Sequence, residues 1–182
     1  MFSEKTVQTL RFTLKTSLIF LTWVPVIYTF NEHVCYISKV EGSSMKPTFN
    51  PSSTKSDFVL LWKWNLKPNL NINDVILLRS PINPEKIYAK RIKGLQGDKI
   101  QTRYPYPKQS VLIPRNHLWV EGDNIHSIDS NNFGPVSNGL VIGKACYIIF
   151  PFSRFGPIPD GGRECRESKL RNFNQDKESQ VV

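Results

Sequence analysis

Residues 74–92 read DVILLRSPINPEKIYAKRI, two short apolar runs separated by Ser80-Pro81 and Asn83-Pro84. Each run is too short for a stable helix and is bounded by turn chemistry, so both predict β-strands, at 74–79 and 87–92. Alternation along the second sets Tyr88, Lys90 and Ile92 on one face and Ile87, Ala89 and Arg91 on the other. Lys90 therefore shares a face with apolar neighbours, where desolvation can depress the pKa of an amine. Taking a lysine from about 10.4 to about 7.4 costs roughly 4 kcal/mol. A solvated strand lysine is the plain alternative, and most of the Lys and Arg between Lys55 and Lys108 must be of that kind.

Similar runs lie on both sides. Residues 58–64 (FVLLWKW), 98–102, 111–113, 117–121 and 140–150 also predict strands, with Lys67-Pro68-Asn69, 94–97, Pro105, Pro107, Pro114 and Gly134-Pro135 in the gaps. Strands recurring every roughly 10–15 residues, with no long amphipathic helix among them, predict an antiparallel β domain. The 13 Pro and 10 Gly agree with a turn-rich, mainly β fold.

The N-terminal side differs in kind. Residues 12–30, FTLKTSLIFLTWVPVIYTF, carry no charge after Lys15. As a helix they span about 28 Å, close to the hydrocarbon thickness of a bilayer, with Lys15 reaching for the headgroups. A cleavable signal peptide shares this pattern, but Tyr28-Thr29-Phe30-Asn31-Glu32-His33 offers no small-residue cleavage site. A buried core helix is the other alternative. Lys5, Arg11 and Lys15 precede the run against Glu4 alone, so the positive-inside rule puts the following domain on the opposite side from the N-terminus. The expected organisation is an N-terminal tail at 1–11, a transmembrane anchor at 12–30, one domain at 34–158 and a polar tail at 159–182.

Composition narrows the function classes. With 40% hydrophobic and 21% charged residues, the chain is neither a disordered polymer nor a polytopic membrane protein. Twenty-four Lys and Arg against 15 Asp and Glu give a net charge of +9, which suits nucleic acid or an anionic lipid surface. Cys35, Cys146 and Cys165 rule out a dense disulfide scaffold, and with no C-x-x-C and scattered His they lack metal-ligand spacing.

Chemistry concentrates in three places. Gly42-Ser43-Ser44-Met45-Lys46-Pro47-Thr48 presents a serine at a turn, a plausible exposed nucleophile but by itself a common arrangement. A serine needs a base. His33, His117 and His126 are available, yet no Gly-x-Ser-x-Gly elbow surrounds Ser44; a neutral lysine is the other known solution. Residues 122–135, GDNIHSIDSNNFGP, are crowded with short hydrogen-bonding side chains, either plain turns or a shell that orients a catalytic amine.

Taken in order, Ser44-Met45-x-Pro47-Thr48, Lys90-Arg91-x-x-Gly94-x-x-Gly97-Asp98, Gly122-Asp123-Asn124, Ser127-x-Asp129-Ser130 and Gly134-x-Val136 resemble the boxes of type I signal peptidases, membrane-anchored Ser/Lys endopeptidases. The small size, the single anchor and the HSIDSNNFGP wording look most like the mitochondrial branch. The sequence departs from the bacterial pattern in several places. Gly42 stands where a Ser usually lends a hydroxyl to the oxyanion hole, Gln96 replaces a Pro, and Asn131 replaces an Arg that would pair with Asp129. The step from Gly122-Asp123-Asn124 to Ser127 is also short. The endoplasmic-reticulum branch, with His in place of Lys90, is disfavoured.

The resemblance implies an antiparallel, coiled β-sheet peptidase domain behind one N-terminal transmembrane helix. It implies Ser44 as nucleophile, Lys90 as general base, Ser127 positioning the amine and Asp129 bracing the loop. Oxyanion stabilisation would rest on the Ser44 N–H, with Ser43 a candidate helper. A substrate strand would add to a sheet edge near residues 37–43. No metal or cofactor is implied. The implied partners are precursor proteins bearing sorting signals, the lipid bilayer, and the other catalytic subunit of a heterodimeric mitochondrial inner membrane protease. The domain would face the intermembrane space. Three rivals stand beside this reading: a repressor-type self-cleaving Ser/Lys protein, a catalytically silent subunit, and a basic nucleic-acid-binding β module using Trp62, Trp64, Tyr104 and Tyr106. An anionic membrane accounts for the charge more simply, so no nucleic-acid partner is expected.

Overall fold

The computed structural model describes residues 4–52 and 56–162. Its first element, helix α1 (Glu4–His33), takes in the whole apolar run and Pro25. The Arg11–His33 stretch has a mean hydropathy of 1.3 and none of it is buried against the rest of the protein. Leu18, Ile19, Phe20, Leu21 and Val24 all face outward. A core helix would bury those side chains; this helix is long and apolar enough to cross a membrane.

The β domain begins two residues after the helix. Strands β1 (Cys35–Lys39), β2 (Phe58–Trp62), β3 (Val75–Arg79), β4 (Ile87–Gly94), β7 (His117–Glu121), β8 (Val136–Ser137) and β9 (Val141–Phe150) form one antiparallel sheet, in the order β1-β2-β9-β3-β4-β7-β8. β5 (Lys99–Gln101) and β6 (Ser110–Leu112) make a separate two-stranded ribbon, and β10 (Gly156–Pro157) adds to β9. Register shifts interrupt the β2–β9, β3–β9 and β4–β7 ladders. Each such bulge bends and twists a strand, and the sheet curls into a half-barrel.

β3 explains why its sequence is apolar without alternation. Val75 and Leu77 pack into one core with Val40, Met45, Phe49, Val59 and Leu61. Ile76 and Leu78 pack into a second with Leu66, Leu70, Ile92, Leu118 and Val120 on the opposite face. A strand covered on both faces reads as a continuous apolar run.

Every strand expected from the sequence forms, with ends moved by a few residues. β1 falls at the sheet edge near residues 37–43 that the resemblance implies, whereas β8, β10 and the one-turn helix α2 (Ser130–Phe133) were not expected as elements. β1 is held by its full ladder to β2, Cys35 opposite Trp62 through Lys39 opposite Phe58, rather than by a strong pattern of its own. Among the described residues β1 pairs on one side only, which leaves it as the sheet edge. Most of the polar tail, and Cys165 with it, lies outside the described residues.

Candidate active site

Ser44 sits on the turn that follows β1. Met45 and Phe49 are driven into the first core, and the Phe49 N–H bonds back to the Met45 carbonyl at 3.0 Å, so the turn is anchored from beneath. Asn50 fastens its far end: its side-chain amide nitrogen donates to the carbonyls of Val40 and Gly42, its N–H donates to the Asp57 carboxylate, and its Oδ1 accepts from the Asp57 N–H. Ser44 is left half-buried between exposed Ser43 and buried Met45.

Gly42 has φ +89°, a conformation L side chains rarely adopt, although nothing lies within 4 Å of where a Cβ would be. Backbone strain, not space, therefore opposes a serine there. The absence of a serine hydroxyl at this position and the shape of this turn go together.

Lys90 lies on β4, opposite Ile76 of β3, with only 1% of its surface exposed. Its Nζ donates to Ser127 Oγ at 2.5 Å and stands 5.4 Å from the centroid of the Tyr88 ring. Ser44, Lys90 and Ser127 line one cleft of about 430 Å³, together with Tyr88, Ala89, Asn124 and Ile128. His126 lines the same cleft and is exposed. Glu41 sits on the rim, its carboxyl held below the usual range by a hydrogen bond from Lys39 and by that residue's charge. Among the described residues there is no cluster of three His, Cys, Asp or Glu that could hold a metal ion.

The loop after β7 is fixed to the Ser44 turn. Asn124 N–H donates to the Ser44 carbonyl at 3.0 Å, and its side-chain amide donates to the Ser43 carbonyl at 2.9 Å. Gly122 permits this approach: a Cβ there would lie 2.1 Å from Ser127 Oγ and 2.5 Å from the Ser44 carbonyl oxygen. Only a residue without a side chain fits.

Asp129, fully buried, caps α2. Its carboxylate accepts from the N–H groups of Gly122 and Asn131 and from the Asn131 side-chain amide, while Asn132 Oδ1 accepts from the Asp129 N–H. Where the bacterial pattern has an arginine, Asn131 donates from an uncharged amide, its Nδ2 also bonding Glu121 Oε1 at 3.0 Å.

Behind the cleft lies a group without an assigned role in the sequence reading. Arg91, on the face opposite Lys90, donates through Nε and Nη2 to both oxygens of Asp123, at 3.0 and 2.8 Å. Thr48 Oγ1 donates to Asp123 Oδ2 at 2.5 Å, and Arg91 Nη1 donates to the Asn73 carbonyl. One fork thus ties together the Ser44 turn, the Lys90 strand and the Ser127 loop. The signal in the sequence is the adjacent Lys90-Arg91 pair: alternation in a strand covered on both faces buries both charges, and a buried guanidinium needs an acid.

The family described as "Signal peptidase, peptidase S26" matches residues 13–106. A protein of Saccharomyces cerevisiae named mitochondrial inner membrane protease subunit 2 is 54% identical over 159 residues, covering 84% of this chain and 90% of the yeast protein. The chain belongs to the signal peptidase S26 family. Proteins of the same name from Schizosaccharomyces pombe and Homo sapiens are 49% and 44% identical, over 77% and 75% of this chain and 78% and 79% of theirs. As an S26 peptidase, the chain carries the half-barrel sheet and the cleft at the positions its three sequence boxes mark.

Proposed function

We propose that this chain is a membrane-anchored endopeptidase that uses a Ser44/Lys90 dyad to remove sorting sequences from precursors delivered to the mitochondrial intermembrane space. The observation that carries the reading is the buried amine of Lys90, bonded to Ser127 in the cleft that Ser44 also lines. Withdrawing an amine from water disfavours its charged form, and a neutral amine is what a general base requires.

Ser44 Oγ attacks the scissile carbonyl as Lys90 Nζ takes its proton. The tetrahedral intermediate, stabilised by the Ser44 N–H, collapses with transfer of that proton to the departing amine. Water then attacks the acyl ester, giving a proton to Lys90, and the carboxylate leaves as Ser44 regains its hydrogen. Ser127 holds the amine in line and Asp129 holds the loop that carries Ser127. The precursor lies as an added strand along the free edge that begins at β1.

The names of the yeast and human relatives support placement at the mitochondrial inner membrane, within a multi-subunit protease; the partner in this reading is the other catalytic subunit that the resemblance implies. Helix α1 then supplies a single span, with the domain on the intermembrane-space side, matching the Lys and Arg that precede the span.

Precursor cleavage by purified full-length variants tests the dyad. Ser44→Ala and Lys90→Arg each abolish turnover, and the double variant is no worse than either, because the two act as a unit. Arginine keeps the charge but cannot lose a proton at working pH. His126→Ala retains activity. Cleavage surviving Lys90→Arg but lost in His126→Ala would transfer the base to the histidine.

A further inference from the structure

The turn after β2 is bonded to the very end of helix α1. The Lys63 N–H donates to the Val34 carbonyl at 2.8 Å, and Lys63 Nζ donates to the Glu32 carbonyl at 2.9 Å while standing 4.5 Å above the Tyr36 ring. A cation on the last carbonyls of a helix satisfies acceptors that have no partner within it and sits favourably in the helix dipole. On either side of this lysine stand two exposed tryptophans, Trp62 and Trp64, and the Trp62 indole N–H donates to the Trp64 carbonyl at 2.8 Å. Ile37, one strand away on β1, is exposed as well.

We propose that Trp62, Lys63 and Trp64 form an interfacial seat on the phospholipid headgroup layer, which sets the tilt of the domain on the bilayer. This rests on the reading of α1 as a membrane span. The argument is one of reach. Neighbouring Cα atoms are about 3.8 Å apart, so each tryptophan lies one residue from a backbone group bonded to Val34, the first residue beyond the span. The interfacial layer is about 5–8 Å thick on each side of the hydrocarbon. With the apolar run ending at Phe30, Val34 lies about 6 Å further along the helix axis, within that layer, and this turn is brought into the headgroups wherever the remainder of the domain lies. Tryptophan suits that depth because its ring is apolar and its N–H polar, and Lys63 adds charge attractive to anionic lipid. The latch also removes a hinge: with Lys63 joined to Glu32 and Val34, the anchor and the sheet edge beside the cleft turn together.

Fluorescence quenching in vesicles tests the seat. The full-length chain is reconstituted in phosphatidylcholine and cardiolipin vesicles that carry brominated lipid, with bromines either near the headgroups or near the bilayer centre. Trp119 is fully buried and stays as common background. The variant Trp23→Phe reports Trp62 and Trp64; Trp62→Phe/Trp64→Phe reports Trp23, midway along the span; the triple variant supplies the baseline. The seat predicts that Trp62 and Trp64 lose more fluorescence to headgroup bromines than to central ones, with the reverse order for Trp23. Trp62 and Trp64 unquenched while Trp23 is quenched would overturn the seat, leave the anchor standing and give this face to a protein partner. Trp23 unquenched by either lipid would overturn the anchor reading and the seat with it.

Discussion

The backbone N–H of Asn124 donates to the carbonyl of Ser44 at 3.0 Å, so the loop carrying Ser127 is pinned to the turn carrying the candidate nucleophile. Distances in this cleft are thus set by backbone contacts between segments far apart in the chain, and the tightest point among them is Gly122.

Adding a methyl group at Gly122 should separate the two segments. Its Cβ would meet Ser127 Oγ, Ser127 Cβ and the Ser44 carbonyl at 2.1, 2.4 and 2.5 Å; rotation could move the hydroxyl, but neither the Ser127 Cβ nor the Ser44 carbonyl can swing aside. Gly122→Ala is expected to cost about 1–3 kcal/mol of stability, the usual range for overpacking. Activity should fall further than that loss explains when cleavage is measured well below the melting temperature. Gly139→Ala, whose Cβ finds its nearest neighbour at 3.5 Å, is the control and should leave both unchanged.

The Arg91–Asp123 fork joins all three segments of the site while almost wholly buried. Asp123→Leu leaves a guanidinium without its counter-charge and should destabilise by about 3–5 kcal/mol in denaturant unfolding. The paired replacement Arg91→Met/Asp123→Leu should be more stable than Asp123→Leu alone, since no uncompensated charge remains. A double variant less stable than the single would show that the fork is needed for more than its own charge balance.

Ser127→Ala removes the hydroxyl that Lys90 contacts. The expected loss in kcat is on the order of 10²-fold, the scale of one positioned hydrogen-bonding group, with KM little changed. Activity of the unmodified enzyme should rise with pH along a limb set by the base, since only its unprotonated form accepts the Ser44 proton. In Ser127→Ala that limb should move, which a purely structural role for the serine would not produce.

Burial pushes the Cys146 thiol up, and Asp74 and Cys35 add to the effect against the opposing charge of Lys144. A raised thiol pKa means less thiolate at neutral pH, and the thiolate is the reactive form. Iodoacetamide should therefore label Cys146 slowly in the folded protein and quickly in urea, as read by mass spectrometry of its peptide. Equal rates in the two states would contradict a half-buried, protonated thiol.

How much of this was legible in the sequence follows from the range of the interactions. Strands at β2, β3, β4, β7 and β9 and the apolar helix were readable because each depends on local pattern: side-chain alternation, turn residues, an uninterrupted apolar run. Ser44 and Lys90 were weak as local patterns and drew their candidate roles from the resemblance of their stretches, in order, to the signal peptidase boxes. Strand β1 was weaker as a pattern, since pairing with β2 supplies what its own residues lack.

Tertiary structure decided which polar groups are solvated. Arg91 and Lys93 lie on the same strand and share one face by alternation, yet only Arg91 is fully buried, because Asp123 and Thr48 close over its guanidinium. Arg91 found its acid across 32 residues, and Asn124 found the Ser43 carbonyl across 81. Contacts of that range depend on which strands become neighbours when the sheet curls. Alternation assigns a side chain to a face of its strand; what covers that face is settled only when the chain closes on itself.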